Sequence, residues 1–178
     1  MTDALNELVL RKMVKQGLLK NEDAEVLINE KKNSADHFTD LILKHKFLNE
    51  VQLISFLSEE YQCASINPNH FVPDENVIRL IPAVFANKHR VLPISRYQDT
   101  LTVAMENPSD LGLVDDVKAI TNMRIRTAVT LSKEMNTALI RFYPNMQVPE
   151  NSNSEEVIQE LVRIVQEQKE QGQQETVS

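Results

Sequence analysis

Of 178 residues only three are glycine and one is cysteine, and each shortage closes off a class of function. With glycine only at Gly17, Gly112 and Gly172, a GxxxxGK run followed by Ser or Thr cannot be written anywhere in these residues. They therefore hold no loop of backbone amides able to cradle nucleotide phosphates as an ATPase requires. A single cysteine, Cys63, permits neither an internal disulfide nor a cysteine-based zinc set, which suits a reducing compartment. No apolar run approaches the length of a membrane span. The opening MTDALNELVLRKMVKQG lacks a basic start and its apolar residues are interrupted by charge, so neither a signal peptide nor direct membrane insertion is expected and the location is read as cytoplasmic. Basic residues are scarce as well: 19 Lys and Arg against 26 Asp and Glu leave a net charge of −7, the wrong sign for a general nucleic-acid surface. Arg124 with Arg126, and Lys31 with Lys32, read as solvated faces.

What is present is a hydrophobic fraction of 42%, enough for a buried core. The most ordered pattern starts at Leu80. Ile81-Pro82 opens a helix, because proline presets φ and has no N–H to leave unpaired at the first helical position. Val91-Leu92-Pro93-Ile94 reads as a strand that Pro93 confines to an edge or an end. Leu101, Val103 and Met105 alternate with Thr102 and Ala104 as a second strand, the run from Ser95 to Thr100 serving as a hairpin loop. Ser109 or Asp110 caps a helix carrying Leu111, Val114 and Val117, and Asn122 ends it. Met123, Ile125, Thr127 and Val129 form a third strand, and Thr130 or Ser132 caps a helix with the stripe Leu131, Met135, Ala138, Leu139 and Phe142.

Upstream the signals are all helical. Thr2, a residue near Glu22, Ser34 and Asn49 start four helices, the last through the Asn49 and Gln52 capping-box pattern. The first two have inner faces read as Leu8, Val9 and Met13, and then Val26, Leu27 and Ile28. Gly17-Leu18-Leu19 before Glu22 matches Lys46-Phe47-Leu48 before Glu50 at an offset of 29 residues (Gly17 to Lys46), so the four helices are two copies of one unit. The fold class is therefore α+β. A helical repeat bundle spans residues 1–66 and a small α/β subdomain with a three-stranded sheet spans 67–143. A linker at 144–153, an amphipathic helix at 154–171 and a disordered tail at 172–178 follow. The helix carries Val157, Leu161 and Val165 on one face and is marginal alone, so it docks on its own domain or meets a partner or a second copy.

Leu80-Ile81-Pro82, Val91-Leu92-Pro93-Ile94, Leu101-Thr102-Val103-Ala104-Met105, Asn107-Pro108 and Leu113-Val114-Asp115-Asp116-Val117 resemble the amino-terminal, or MshEN, domain of type II secretion and type IV pilus assembly ATPases. The resemblance runs from about Leu5 to Tyr143. In that family some members bind cyclic di-GMP through two tandem copies of RLGxxLxxxGxIxxxxLxxALxxQ. Here the copies would run from Leu8 to Lys31 and from His37 to Glu60. The apolar skeleton and one glycine persist, marking Met13, Gly17, Leu18, Leu19, Ile42, Phe47 and Leu48 as the positions of a degenerate ligand motif. The Arg position holds Leu8 and His37, the early Gly holds Leu10 and Thr39, the later Gly of the second copy is Lys46, and the closing Gln is Lys31 and Glu60. Arg and Gly matter there because Arg pairs bidentately with phosphate and a Cβ would hold a ligand off the backbone.

No other constellation carries chemistry. His37, His45, His70 and His89 lack a ligand spacing, so no metal is expected. Asp115-Asp116 and Glu59-Glu60 are helix neighbours that point apart, and Cys63 reads as a small semi-buried residue. The resemblance implies a non-enzymatic, stand-alone relative of the domain without its ATPase half, acting as a regulatory or protein-interaction module in a secretion, pilus or motility machine. No cofactor is expected. A cyclic di-GMP receptor with a divergent site is the alternative.

Overall fold

The computed structural model describes residues 2–144, and the repeat shows in its backbone. Helices α1 (Thr2–Lys15), α2 (Asn21–Asn33), α3 (Phe38–Lys44) and α4 (Glu50–Glu60) form two helix-turn-helix units. Each unit's first helix ends on a left-handed residue, Gly17 at φ 74° and Lys46 at φ 56°. Leu18 N donates to Met13 O at 2.9 Å and Phe47 N to Ile42 O at 3.2 Å, the same wrap-back bond in both copies. The following helices begin alike. Asn49 and Gln52 exchange two backbone-to-side-chain bonds of 3.0 and 2.9 Å. In the first copy only Lys20 N to Asp23 Oδ2, 3.2 Å, is made, since an ammonium group cannot accept.

Left-handed φ is nearly free for glycine and costs other residues about 1 kcal/mol. Lys46→Gly should therefore raise stability by about that amount. Gly17→Ala should lower it similarly, although a Cβ there meets nothing within 4 Å. Urea unfolding of the two variants should move in opposite directions.

The inner faces differ by a small rotation from those read in the sequence. Leu8 is 50% and Val26 45% exposed, while Leu10 and Ala24 turn inward. The third helix is preceded by His37 rather than Ser34, whose hydroxyl instead accepts from Asp36 N at 3.0 Å. The helical core gathers Met13, Leu19, Leu27, Leu41, Ile42, Leu53 and Phe56, and it also takes in Val129 and Leu131 from the other half.

The stretch after α4 supplies β1 (Ala64–Ser65), a 3-10 turn (Pro68–His70) and α5 (Glu75–Ile78). Then come α6 (Ala83–His89), β2 (Val91–Tyr97), β3 (Thr100–Met105), α7 (Leu111–Thr121), β4 (Arg124–Val129) and α8 (Ser132–Phe142). Strand order is β1-β4-β3-β2, with β2–β3 antiparallel and the two pairs to β4 parallel. The sheet thus has four strands where three were expected, because the two exposed residues of β1 present no alternation to read. Pro93 sits on an edge strand as expected, beside a register shift before Ser95. The hairpin is tighter than predicted: Tyr97 pairs Thr100, and Gln98 takes φ 54° to close a two-residue turn.

Pro82 stands one position before α6 rather than inside it. Asp110 caps α7 through Leu113 N at 3.0 Å, and Asn122 ends it in the left-handed region. Neither Thr130 nor Ser132 caps α8. Leu131 holds that position; its side chain has no group to cap with and is instead buried in the helical core at 2% exposure. At the other end of α8, the hydroxyl of the half-buried Tyr143 donates between the carbonyls of Ile78 and Ile81, and loss of solvent around it pushes that phenol well above its ordinary pKa. Among the described residues no helix is long and apolar enough to cross a membrane. The predicted linker from residue 145, the helix with Val157, Leu161 and Val165, and the tail lie outside the described residues.

Candidate functional site

The repeat places a pocket at the same position on each copy. On the first copy a hollow of about 500 Å³ is lined by residues including Arg11, Val14, Lys15 and Asn21. On the second, a cleft of about 690 Å³ is lined by Asp40, Leu43, Lys44 and Glu50, each 29 positions further on. His37 completes the second from its own copy, and Arg90, Ser132, Lys133 and Asn136 complete it from the α/β half. That cleft is therefore the seam between the two halves of the molecule.

A carboxylate organises the seam. Glu106, the first residue after the buried strand β3, receives the Arg90 guanidinium, the Ser132 hydroxyl at 2.8 Å and His37 Nδ1 at 3.3 Å. Arg90 also donates to Ser132 O at 2.9 Å, and Thr39 Oγ1 lies 3.0 Å from Ser132 Oγ. Arg90 reaches Glu106 because it ends α6 in the left-handed conformation, φ 52°, which turns the chain sharply into β2. Glu106 and Arg90 keep only 18% and 23% side-chain exposure, so this pair is shielded far better than a surface salt bridge.

The other cations at the cleft are engaged too. Lys44 lies 2.8 Å from Glu30, and Lys133 lies 3.8 Å from Glu50 across the opening. Hydrogen bonds from Lys44 and then His45 hold the Glu30 carboxyl below its usual range. Burial, assisted by the charge of Glu106, pushes Asp40 up against the opposing pull of His37 and Arg90. The cleft is thus mixed in charge, with carboxylates already occupying its cations. Among the described residues no group of three or more potential metal ligands gathers anywhere.

The residues marked by the sequence divide into two groups. Met13, Leu19, Ile42 and Leu48 are buried in the helical core, and Leu18 and Phe47 pack half-buried against it. Gly17 forms the left-handed turn. The polar positions of the degenerate motif are turned to internal use. His37 meets Glu106, Thr39 meets Ser132, Glu60 pairs with Lys12, and Lys31 Nζ donates to Asp36 O at 2.7 Å. Lys46 takes the left-handed turn that glycine takes in the first copy. Sequence reasoning missed Arg90, Glu106, Ser132, Lys133 and Asn136. The one local signal was an acid directly after the apolar run Val103-Ala104-Met105, where a charge needs a partner.

A family model for the MshEN domain matches residues 60–148. The type IV pilus assembly ATPase PilB of Myxococcus xanthus (strain DK1622) is 30% identical over 143 residues, 80% of this chain and 25% of PilB. The chain thus spans about a quarter of the length of that relative. A solved structure of MshE with cdg aligns at 26% identity and a TM-score of 0.62 over 76% of this chain and 98% of that one. The N-terminal domain of XpsE shares the fold at 16% identity, with a TM-score of 0.57 over 75% of this chain and 92% of that one.

Proposed function

The chain belongs to the MshEN domain family, and from that premise we propose that it is a non-catalytic regulatory or protein-interaction module of a type IV pilus or type II secretion machine, acting in the cytoplasm. One observation carries the reading. The positions at which the family reads a nucleotide are here spent on the protein's own architecture: His37 and Thr39 tie the helical half to Glu106 and Ser132. A cyclic dinucleotide entering the larger cleft with its two phosphodiesters would meet Asp40 and Glu50 and would have to draw Arg90 away from Glu106. What persists is a scaffold of two packed cores, of the kind suited to holding a partner. The similarity to the type IV pilus assembly ATPase PilB supports seeking that partner among the components of such an assembly machine.

A second reading, a cyclic di-GMP receptor with a divergent site, is favoured by the two pockets at equivalent repeat positions and by the MshE structure with cdg. One pair of measurements separates the readings. Affinity capture from the native host with the full chain should enrich pilus or secretion components, and failure to enrich any of them counts against the module. Calorimetry with cyclic di-GMP at tens of micromolar should give no heat and an unchanged melting temperature. Saturable binding, which at a hundredfold excess over Kd would add about 2.7 kcal/mol to stability, would establish the receptor reading instead.

A further inference from the structure

Arg124 and Arg126, read from the sequence as a solvated face, take no part in the seam. Strand register sets Tyr97, Thr100 and Arg124 side by side, and Ser95, Thr102 and Arg126 in the next row of the same face. Nearer the helical half that face is covered, with Leu92, Ala104 and Ala128 buried. At the hairpin end it is open: Ser95, Tyr97, Arg124 and Arg126 are exposed, Tyr97 to 76%. Arg124 reaches only the exposed Asp99, at 3.2 Å, and among the described residues Arg126 has no polar partner. The result is an uncovered sheet face bearing two arginines and a tyrosine.

The chain's charge is unevenly spread. Residues 2–144 hold 19 acidic and 17 basic side chains, a net of −2, whereas residues 145–178 hold seven glutamates against Arg163 and Lys169, a net of −5. One fifth of the chain thus carries most of its charge of −7. We infer that the acidic segment from Glu155 to Glu170 occupies the open sheet face, its carboxylates against Arg124 and Arg126 and its apolar side chains over Tyr97. Reach is no obstacle. The chain leaves the described structure at Pro144, and the residues from there to Glu155 can span roughly 35 Å, against a radius of gyration near 15 Å for a domain of this size. Exposed ion pairs are weak one at a time, and being on the same chain raises the local concentration of the segment into the millimolar range, so a contact too weak to form between separate molecules suffices. The inference stands apart from the choice of partner or ligand above, since it concerns a different surface.

The test uses the full chain in the Cys63→Ser background with a nitroxide on Ser154→Cys. The label should broaden the amide signals of Thr100, Thr102 and Arg126 several-fold relative to its reduced form. The broadening should be independent of protein concentration. It should vanish in Arg124→Glu/Arg126→Glu, whose substitutions lie on exposed side chains, and fall sharply at about 0.5 M salt, where screening is nearly complete. An unbroadened sheet face, broadening elsewhere, or broadening indifferent to the double charge reversal overturns the inference. Broadening that grows with concentration also overturns it, by assigning the segment to a second copy. A bare face in the full chain leaves those arginines to an acidic partner.

Discussion

Glu106→Ala should cost about 2–3 kcal/mol and loosen the seam between the two halves. Removing one partner of a fully buried ion pair costs about 3–5 kcal/mol, because the remaining charge is left unpaired in a poorly solvated site. The figure is reduced here because Glu106 and Arg90 each keep about a fifth of their side chain in solvent. Alanine also strips the acceptor from Ser132 and from His37, so the tie to His37 across the seam and two contacts that shape the α/β side of it weaken together. Glu106→Gln, which keeps an acceptor of the same shape, should recover part of the loss. In urea unfolding, Arg90→Ala and Glu106→Ala should be less than additive, since either one dismantles the same pair. A loss below about 0.5 kcal/mol would place this contact among ordinary surface salt bridges.

Phe85→Ala should cost more, about 3–5 kcal/mol, the range for deleting a large core aromatic. Phe85 is 1% exposed, in the core formed by α6, the sheet and α8. For a domain whose whole stability is of order 5–15 kcal/mol, that is a large share. The substitution also has a local readout. The Phe85 ring lies 4.4 Å from the His89 imidazole, and burial, reinforced by Lys88, holds His89 below the usual histidine range. Opening a cavity beside it should let the imidazole titrate closer to its ordinary value, visible by NMR. Because His89 is held neutral in the fold, its contribution is present above about pH 6.5 and is lost as the pH falls through the folded value. The variant should therefore show a weaker loss of stability on acidification than the parent. A melting temperature within a degree of the parent would mean that the core closes over the deleted ring.

Several particulars of the fold were legible because they are local. Asn49 with Gln52 and Asp110 at its helix start each satisfy backbone donors within three residues, so short-range pattern predicts them well. Pro93 declares an edge strand because its ring leaves no N–H to share with a neighbour. The offset between Gly17 and Lys46 showed as matching apolar residues, and the structure repeats it in φ angles and wrap-back bonds. Leu8 and Val26 were misjudged for a different reason. An apolar residue one position from a helix stripe is turned away by about 100°, and only the partner helix decides which of two neighbouring stripes is buried. Strand β1 was missed because two residues gain strand character only from β4, more than 60 positions later in the chain.

The site divides along the same line. The sequence by itself determined the family, the absence of a phosphate-binding loop from these residues, the doubling of the helical unit and the loss of the ligand motif's Arg and Gln residues. Each is a matter of residue type or of spacing within a few turns of chain. Only the tertiary structure decided what the altered positions now do. His37 meets Glu106 across 69 positions and Thr39 meets Ser132 across 93, because Leu131 sinks into the helical core and brings the start of α8 against α3. Val129 and Leu131, which local pattern assigns to a strand and a helix of the α/β half, are buried in the core of the other half, and that placement sets where those polar groups converge.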